Sequence, residues 1–143
     1  VGICMHGRGN QSVGSQVSHL KGEGKHSVHW LTGSTIPCLS IYKPYAFPIK
    51  GQRAKEPGAR KGVDSDWFWS RHAKHVKKYR RRPTKEVPER NDYYSKLRSK
   101  EENLVSAVQE VVEQEDKLTE EQFIAKITDL NHHAWKASEE MIE

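Results

Sequence analysis

Cysteine and histidine side chains recur near the start of the chain, and both types can bind metal ions or take part in nucleophilic catalysis. Cys4 and His6 are second neighbours, so on a β-strand they would share one face. His26 and His29 would fall on opposite faces, and neither CxxC nor HExxH spacing accompanies them, so we expect no metal site. Cys4 and Cys38 are expected to be reduced, buried packing residues, because a free cysteine behaves as a small hydrophobe.

A basic run at residues 74–82, with Tyr79 inside it, could bind nucleic acid. Lysine and arginine neutralise phosphates, and a tyrosine among them can stack on a base. However, residues 50–100 hold 17 basic and 6 acidic side chains (net +11), whereas residues 101–143 hold 3 and 12 (net −9). Such opposed blocks can neutralise each other across a helix pair, and no nucleic-acid-binding fold signature accompanies the run. We therefore expect that nucleic acid is not the partner.

The composition is that of one polar domain. The 143 residues are 34% hydrophobic and 30% charged, with a net charge of +5 and a mean hydropathy of −0.89. No stretch approaches the roughly 18 consecutive apolar residues that a bilayer-crossing helix needs, and the N-terminus lacks the layout of a secretory signal. Two cysteines are too few for a disulfide framework. We expect a cytoplasmic protein without a membrane partner.

The first third of the chain predicts a small antiparallel sheet. Two short runs rich in β-branched and aromatic residues flank the glycine turn at residues 21–25, which is the pattern of a hairpin. A third run stops before Lys43 and Pro44, because the residue before a proline is restricted. Four strands are predicted, at residues 1–5, 14–20, 27–32 and 38–42.

The middle of the chain predicts a loop and then a helix. Residues 50–65 are rich in Gly, Pro, Lys and Arg, with little that is apolar to anchor them. A helix over residues 66–80 is predicted to begin after an N-cap at Asp64 or Ser65 and to end before Pro83. Of its two tryptophans, at positions 67 and 69, one is expected to enter the core.

The last third predicts two antiparallel helices. The first begins near Pro88, and the spacing of Thr119 and Gln122 is that of a capping box at the start of the second. In both helices, apolar residues recur at helical spacing and so form a stripe along one face. This predicts that the two stripes pack on each other. The first stripe is Leu104, Val105, Val108, Val111 and Val112; the second is Phe123, Ile127, Leu130, Ala134, Ala137 and Met141.

Several of these segments resemble the secernin family, which belongs with the cysteine dipeptidases of the N-terminal nucleophile hydrolases. The resembling segments are ICMH (residues 3–6), GSQVS (14–18), HWLTGS (29–34), PCLSIYKP (37–44) and DWFWSRH (66–72). The resemblance spans roughly residues 1–80. The predicted helices that follow match the family only in being helices, without specific motifs.

The resemblance implies an α+β fold, the C-terminal part of an αββα sandwich in which antiparallel strands are followed by three helices. Residues 1–49 would supply strands, residues 50–65 a basic loop, and residues 66–143 the helical part of the same domain. Because Val1 lies inside an apolar run, we expect an internal start and a missing N-terminal part.

The family's nucleophile is a cysteine at the extreme mature N-terminus, whose own α-amino group acts as the base. That cysteine would lie upstream of Val1, so this piece should be inactive alone and needs no cofactor. The reaction implied is hydrolysis of dipeptides or short peptides. The expected partners are a short peptide substrate, the missing part of the same chain and a second copy of the chain.

Four residues are candidates for the substrate site. The resemblance puts Asn10, Ser15 and His19 on or beside a central strand, and Arg71 could meet a substrate carboxylate or a buried aspartate. None of them is assigned a catalytic part. Two alternatives stay open: a non-catalytic, exocytosis-regulating interaction protein of the same family, and a basic nucleic-acid-binding module.

Overall fold

The computed structural model describes residues 12–47, 67–79 and 88–143, and the structural statements below concern these ranges. The fold is α+β, as predicted, with three strands in one antiparallel sheet of order β1-β2-β3 and three α-helices. The strands are β1 (Gln16–His19), β2 (Val28–Leu31) and β3 (Lys43–Ala46). The helices are α1 (Phe68–Val76), α2 (Pro88–Glu113) and α3 (Glu120–Glu140). The predicted strand at residues 1–5 and the loop at residues 50–65 lie outside the described residues.

The predicted hairpin of β1 and β2 is confirmed. Val17 lies opposite Trp30, and Ser18 lies opposite His29. Since side chains alternate along a strand, Val17 and Trp30 share the face that packs toward the helices, together with Val28.

The prediction of a third strand at residues 38–42 is wrong, because the strand begins at Lys43. The preceding residues form a 3₁₀ turn, Pro37–Leu39, which the fixed φ of the proline favours. Pro44 is tolerated within β3 because, among the described strands, β3 lies at the edge of the sheet, where a missing N–H leaves no gap in the ladder. Its carbonyl instead accepts a hydrogen bond from Asn131 Nδ2 at 2.9 Å.

The helical hairpin of α2 and α3 agrees closely with the sequence pattern. α2 begins at Pro88, as predicted. The capping box is confirmed: Gln122 N donates to Thr119 Oγ1 at 3.2 Å, and Thr119 N donates to Gln122 Oε1 at 2.9 Å. α1 is shorter than predicted and has Trp67 as its N-cap. The proposed caps Asp64 and Ser65 lie outside the described residues.

Two apolar clusters join the sheet to the helices. One centres on the 3₁₀ turn and the start of α2, the other on the crossing of β2 with the helical hairpin. Within the α2 stripe, Leu104, Val108 and Val112 are buried, whereas Val105 is 52% exposed. The first cluster contains Ile36, Leu39, Ile41, Val76, Tyr93 and Leu97; the second contains Val28, Ala46, Val108, Val112, Phe123 and Ile127.

Candidate functional site

Two separate stretches of the chain meet in one buried polar group of side chains. Ser34 and Ser40 come from the segment before β3, Lys43 from β3 itself, and His72 from α1; all four are buried. The hydroxyls of Ser34 and Ser40 lie 2.8 Å apart, and Ser40 Oγ lies 3.4 Å from His72 Nε2. We call these four residues the Lys43 cluster.

The backbone around the 3₁₀ turn shapes this cluster. Ile36 has φ 54°, in the left-handed region that few non-glycine residues adopt. Its carbonyl and that of Thr35 accept hydrogen bonds from Ser40 Oγ, at 3.1 and 3.2 Å. Gly33 has φ 58°, and a Cβ at this position would lie 3.1 Å from the Trp135 ring. The sequence Gly33 to Ser40 therefore folds into a turn that buries its own polar groups against carbonyls.

Lys43 is fully buried and has no carboxylate partner among the described residues. Its Nζ donates to the carbonyls of Thr32 (2.6 Å) and Ile41 (2.8 Å), and lies 4.6 Å from the centre of the Trp135 ring and 5.2 Å from that of Phe68. Burial lowers the pKa of Lys43 to about 7. Through these hydrogen bonds the Lys43 side chain holds the start of β3 against the chain segment that precedes it.

His72 is held as a neutral side chain. Its Nε2 lies 3.0 Å from the Leu39 carbonyl, and since a carbonyl only accepts, Nε2 carries the proton. Tyr93 Oη donates to the same carbonyl at 2.8 Å. Burial lowers the pKa of His72 to about 4, against the opposing hydrogen bond to Leu39.

The nearness of Ser40 to His72 suggests a nucleophile and base, but the arrangement does not support one. A base must accept the hydroxyl proton, whereas His72 Nε2 is itself a donor. Ser40 is only 2% exposed, and its hydroxyl is already engaged with carbonyl oxygens. The Lys43 cluster is therefore a buried framework that fixes the position of the 3₁₀ turn relative to α1.

The low pKa of His72 predicts that the free energy of unfolding falls in acid, where His72 becomes protonated. Its pKa is lower in the folded chain than in the unfolded chain, so stability is fully present above pH 6.5 and is lost as the pH falls toward 4. We expect the free energy of unfolding to fall by about 2 kcal/mol between pH 6.5 and 4.5. Urea unfolding at several pH values measures this. The variant His72→Gln should lack this loss, and an equal loss in that variant would contradict the assignment to His72.

The structure places two of the predicted site residues at the two ends of β1. Ser15 precedes the strand: its N–H donates to Thr32 Oγ1 at 3.0 Å, and its carbonyl accepts from Thr32 N at 3.1 Å. His19 ends the strand and is exposed. Since residues 15, 17 and 19 alternate with their neighbours, Ser15 and His19 flank Val17 on one face. Asn10 lies outside the described residues.

Arg71 does not join Ser15 and His19. It lies on α1, where its guanidinium forms an ion pair with Glu139 at 2.6 Å. Both side chains are partly exposed, so this pair joins α1 to α3 at the surface. Lys100 and Glu140 form a similar pair at 2.7 Å, which agrees with the predicted neutralisation between the basic and acidic blocks.

An open apolar groove of about 290 Å³ lies between β1 and α2, next to Val17. Its one ionisable carboxylate, that of Glu101, accepts from Tyr42 N at 3.4 Å, and burial raises its pKa. The groove is lined by Val17, Trp30, Tyr42, Glu101, Leu104 and Val105.

Three sequence interpretations of side-chain placement are wrong. Cys38 is exposed, because the 3₁₀ turn directs its neighbours inward and Cys38 outward. Tyr79 is buried against Tyr93, with ring centres 4.7 Å apart, so it is not free to stack on a base. Neither tryptophan at the start of α1 is buried; their rings stack on each other, and the residue between them, Phe68, enters the core instead.

Comparison of the chain with protein-family models, with curated proteins and with solved structures found no match. Over the described ranges, no three His, Cys, Asp or Glu side chains lie together as a metal site would require. The helices within the same ranges include none that is both long and apolar enough to span a bilayer.

Proposed function

We propose that the chain is the C-terminal portion of a secernin-like peptidase that hydrolyses dipeptides or short peptides. The observation that carries the proposal is the meeting of the two best-resembling segments, residues 37–44 and 66–72. Leu39 and Ser40 of the first contact His72 of the second, at 3.0 and 3.4 Å. The two segments lie more than 30 residues apart, resemble the same family and meet in one buried cluster. This is consistent with both belonging to one fold unit.

The chemistry proposed is that of a cysteine at the mature N-terminus, upstream of Val1. Its thiolate sulfur attacks the peptide carbonyl carbon, and the leaving amine takes the proton held by the α-amino group. Water then hydrolyses the thioester, which frees the acid and restores the thiol. No metal or organic cofactor enters this reaction.

Within this proposal, the described residues support the site and do not react. The candidate groups with the right chemistry, Ser40, Lys43 and His72, are buried and bonded to backbone carbonyls. Their role is to fix the 3₁₀ turn and β3, from which a substrate-facing loop can be held rigidly.

The test is the intact mass and N-terminal sequence of the protein expressed from the complete upstream reading frame. We expect a mature chain that begins with cysteine and releases amino acids from a panel of dipeptides. Replacing that cysteine by alanine should abolish hydrolysis, and the 143-residue chain alone should be inactive. A mature chain whose first residue is blocked or is not cysteine would overturn the enzyme proposal.

A non-catalytic interaction protein of the same family is the second candidate, and the exposed apolar surface of β1 favours it. Val17 is 56% exposed beside the open groove, an arrangement suited to contact with another protein. Retention of a partner by a protein whose mature N-terminus is not cysteine would favour this candidate over the peptidase.

A further inference from the structure

Helix α1 depends on its contacts with the rest of the fold to stay helical. It is nine residues long and has no side-chain hydrogen bond at its N-cap, so it is too short to be stable alone. Its buried face consists of Phe68, His72 and Val76, which lie four residues apart. Phe68 packs edge-on against Trp135 of α3, with 5.3 Å between ring centres. His72 meets the 3₁₀ turn at the Leu39 carbonyl. If this face separates from the fold, we expect α1 to unwind.

Several buried polar atoms at this interface have no hydrogen-bond partner. Among the described residues, such atoms are Ser70 Oγ, His72 Nδ1, Trp135 Nε1 and His26 Nε2. The first two belong to α1, and the third belongs to the tryptophan on which Phe68 packs. A buried polar atom without a partner costs free energy that contact with water recovers. Detachment of α1 therefore costs less than its buried apolar face alone would suggest.

His72 makes the docking of α1 sensitive to acid. Its Nε2 already carries a proton toward the Leu39 carbonyl, so a second proton must bind at Nδ1. Nδ1 is buried and has no acceptor within hydrogen-bond distance. Protonation in the docked helix therefore creates both a buried charge and an unpaired buried donor, and both are relieved when α1 leaves.

The groups that face His72 from each element do not offset this charge. From β3, Lys43 is itself positive below pH 7 and, like His75 on α1, lowers the pKa of His72 beyond the larger effect of burial. From the 3₁₀ turn and α2, the Leu39 carbonyl and the Tyr93 hydroxyl are neutral. At the α3 side, the carboxylate of Glu139 forms an ion pair with Arg71.

We propose that α1 is released from the fold in acid: when His72 takes up its second proton, α1 leaves the 3₁₀ turn and α3 while the sheet and the α2–α3 hairpin stay folded. The rest of the fold can remain packed because the second apolar cluster joins β2, β3, α2 and α3 and contains no residue of α1. Local opening of one such unit below the free energy of global unfolding is common in proteins. This inference does not depend on the proposed peptidase activity.

Hydrogen exchange of the 143-residue chain, read by mass spectrometry between pH 6.5 and pH 4.5, tests the release. In the released helix His72 has its ordinary pKa of 6.5, whereas in the docked helix the pKa is about 4. The released population should therefore rise about fortyfold over this range. After correction for the intrinsic rate of exchange, protection of the α1 amides should fall by the same factor, whereas amides of α2 and α3 in the second cluster should keep theirs. Joint loss of protection in all three helices, or none in α1, would overturn the proposal.

Two glutamine variants on α1 identify the group that titrates. His72→Gln keeps a donor for the Leu39 carbonyl but cannot ionise, so protection of α1 should no longer depend on pH. His75→Gln removes the other histidine of α1, which is half-buried, and should keep most of the response. Because the variants can differ in protection at pH 6.5, the quantity compared is the change within each variant. A response that persists in His72→Gln, or that is lost equally in His75→Gln, would contradict release through His72.

Discussion

The free energy of unfolding is expected to rise by about 3 kcal/mol between pH 7 and pH 9.5 because of Lys43. Burial lowers the pKa of Lys43 to about 7 in the folded chain, whereas in the unfolded chain it is near 10.5. Between these values the unfolded chain binds more protons, so stability increases with pH.

The variant Lys43→Met should abolish that rise. Methionine keeps most of the volume between Trp135 and Phe68 but cannot ionise. Chemical unfolding at pH 7, 8, 9 and 9.5 gives the slope, with the exposed Lys126→Met on α3 as the matched control that should keep it. The window ends at 9.5 because burial raises the pKa of Tyr93 above its usual range, so stability falls again once unfolded tyrosines ionise. A flat wild-type profile, or a rise that survives in Lys43→Met, would contradict the claim that burying the charged form of Lys43 destabilises the folded chain.

Replacing Glu115 by alanine is expected to lower the free energy of unfolding by about 3 kcal/mol. Glu115 lies in the turn between α2 and α3, is 8% exposed, and accepts hydrogen bonds from His26 N (2.6 Å), His26 Nδ1 (2.9 Å) and Lys21 Nζ (3.2 Å). Burial alone would raise the pKa of this carboxyl, but the hydrogen bonds from His26 and Lys21 outweigh it and hold the pKa low. Removal of the carboxylate leaves buried donors of His26 without an acceptor.

The adjacent Asp116 provides the control for Glu115. It also forms an ion pair, with Lys25, but its side chain is 83% exposed, so Asp116→Ala should change stability little. Thermal and urea unfolding of the two variants at pH 7 make the comparison. Equal losses for Glu115→Ala and Asp116→Ala would show that burial does not set the strength of this contact.

The helical hairpin could be predicted from sequence because its determinants are local. Thr119 and Gln122 cap α3 through contacts three residues apart, and the period of the α2 stripe identified Leu104, Val108 and Val112 as buried. The periodic pattern included Val105 in the buried stripe, but Val105 is exposed. How far the sheet extends beneath α2 decides which residues of the stripe are covered, and the pattern within the helix does not contain that information. The hairpin of β1 and β2 was likewise predictable from its turn.

The buried polar residues could not be predicted, because their partners are distant in sequence. Lys43 was expected to lie after a strand, because it precedes Pro44, but it begins β3 and packs against Trp135 of α3. His72 lies four residues from both Phe68 and Val76, a spacing that marks it as part of the buried face of α1. That spacing is the signal in the sequence that could have found it.

The positions of the predicted site residues follow from the sequence only in part. Ser15 and His19 share a face because strand alternation is local, and this much follows from the sequence. The partner of Arg71 depends on where the C-terminal end of α3 lies relative to α1, which no local pattern determines.

The sheet is held by contacts with residues far downstream in the sequence. Asn131 bonds to Pro44, 87 residues earlier, and Glu115 bonds to His26, 89 residues earlier. Such long loops must close before these contacts form, which slows folding relative to a fold built from neighbours. On the ribosome, the described strands therefore leave the exit tunnel well before α3 does, and they must stay unaggregated until α3 emerges and packs on β3.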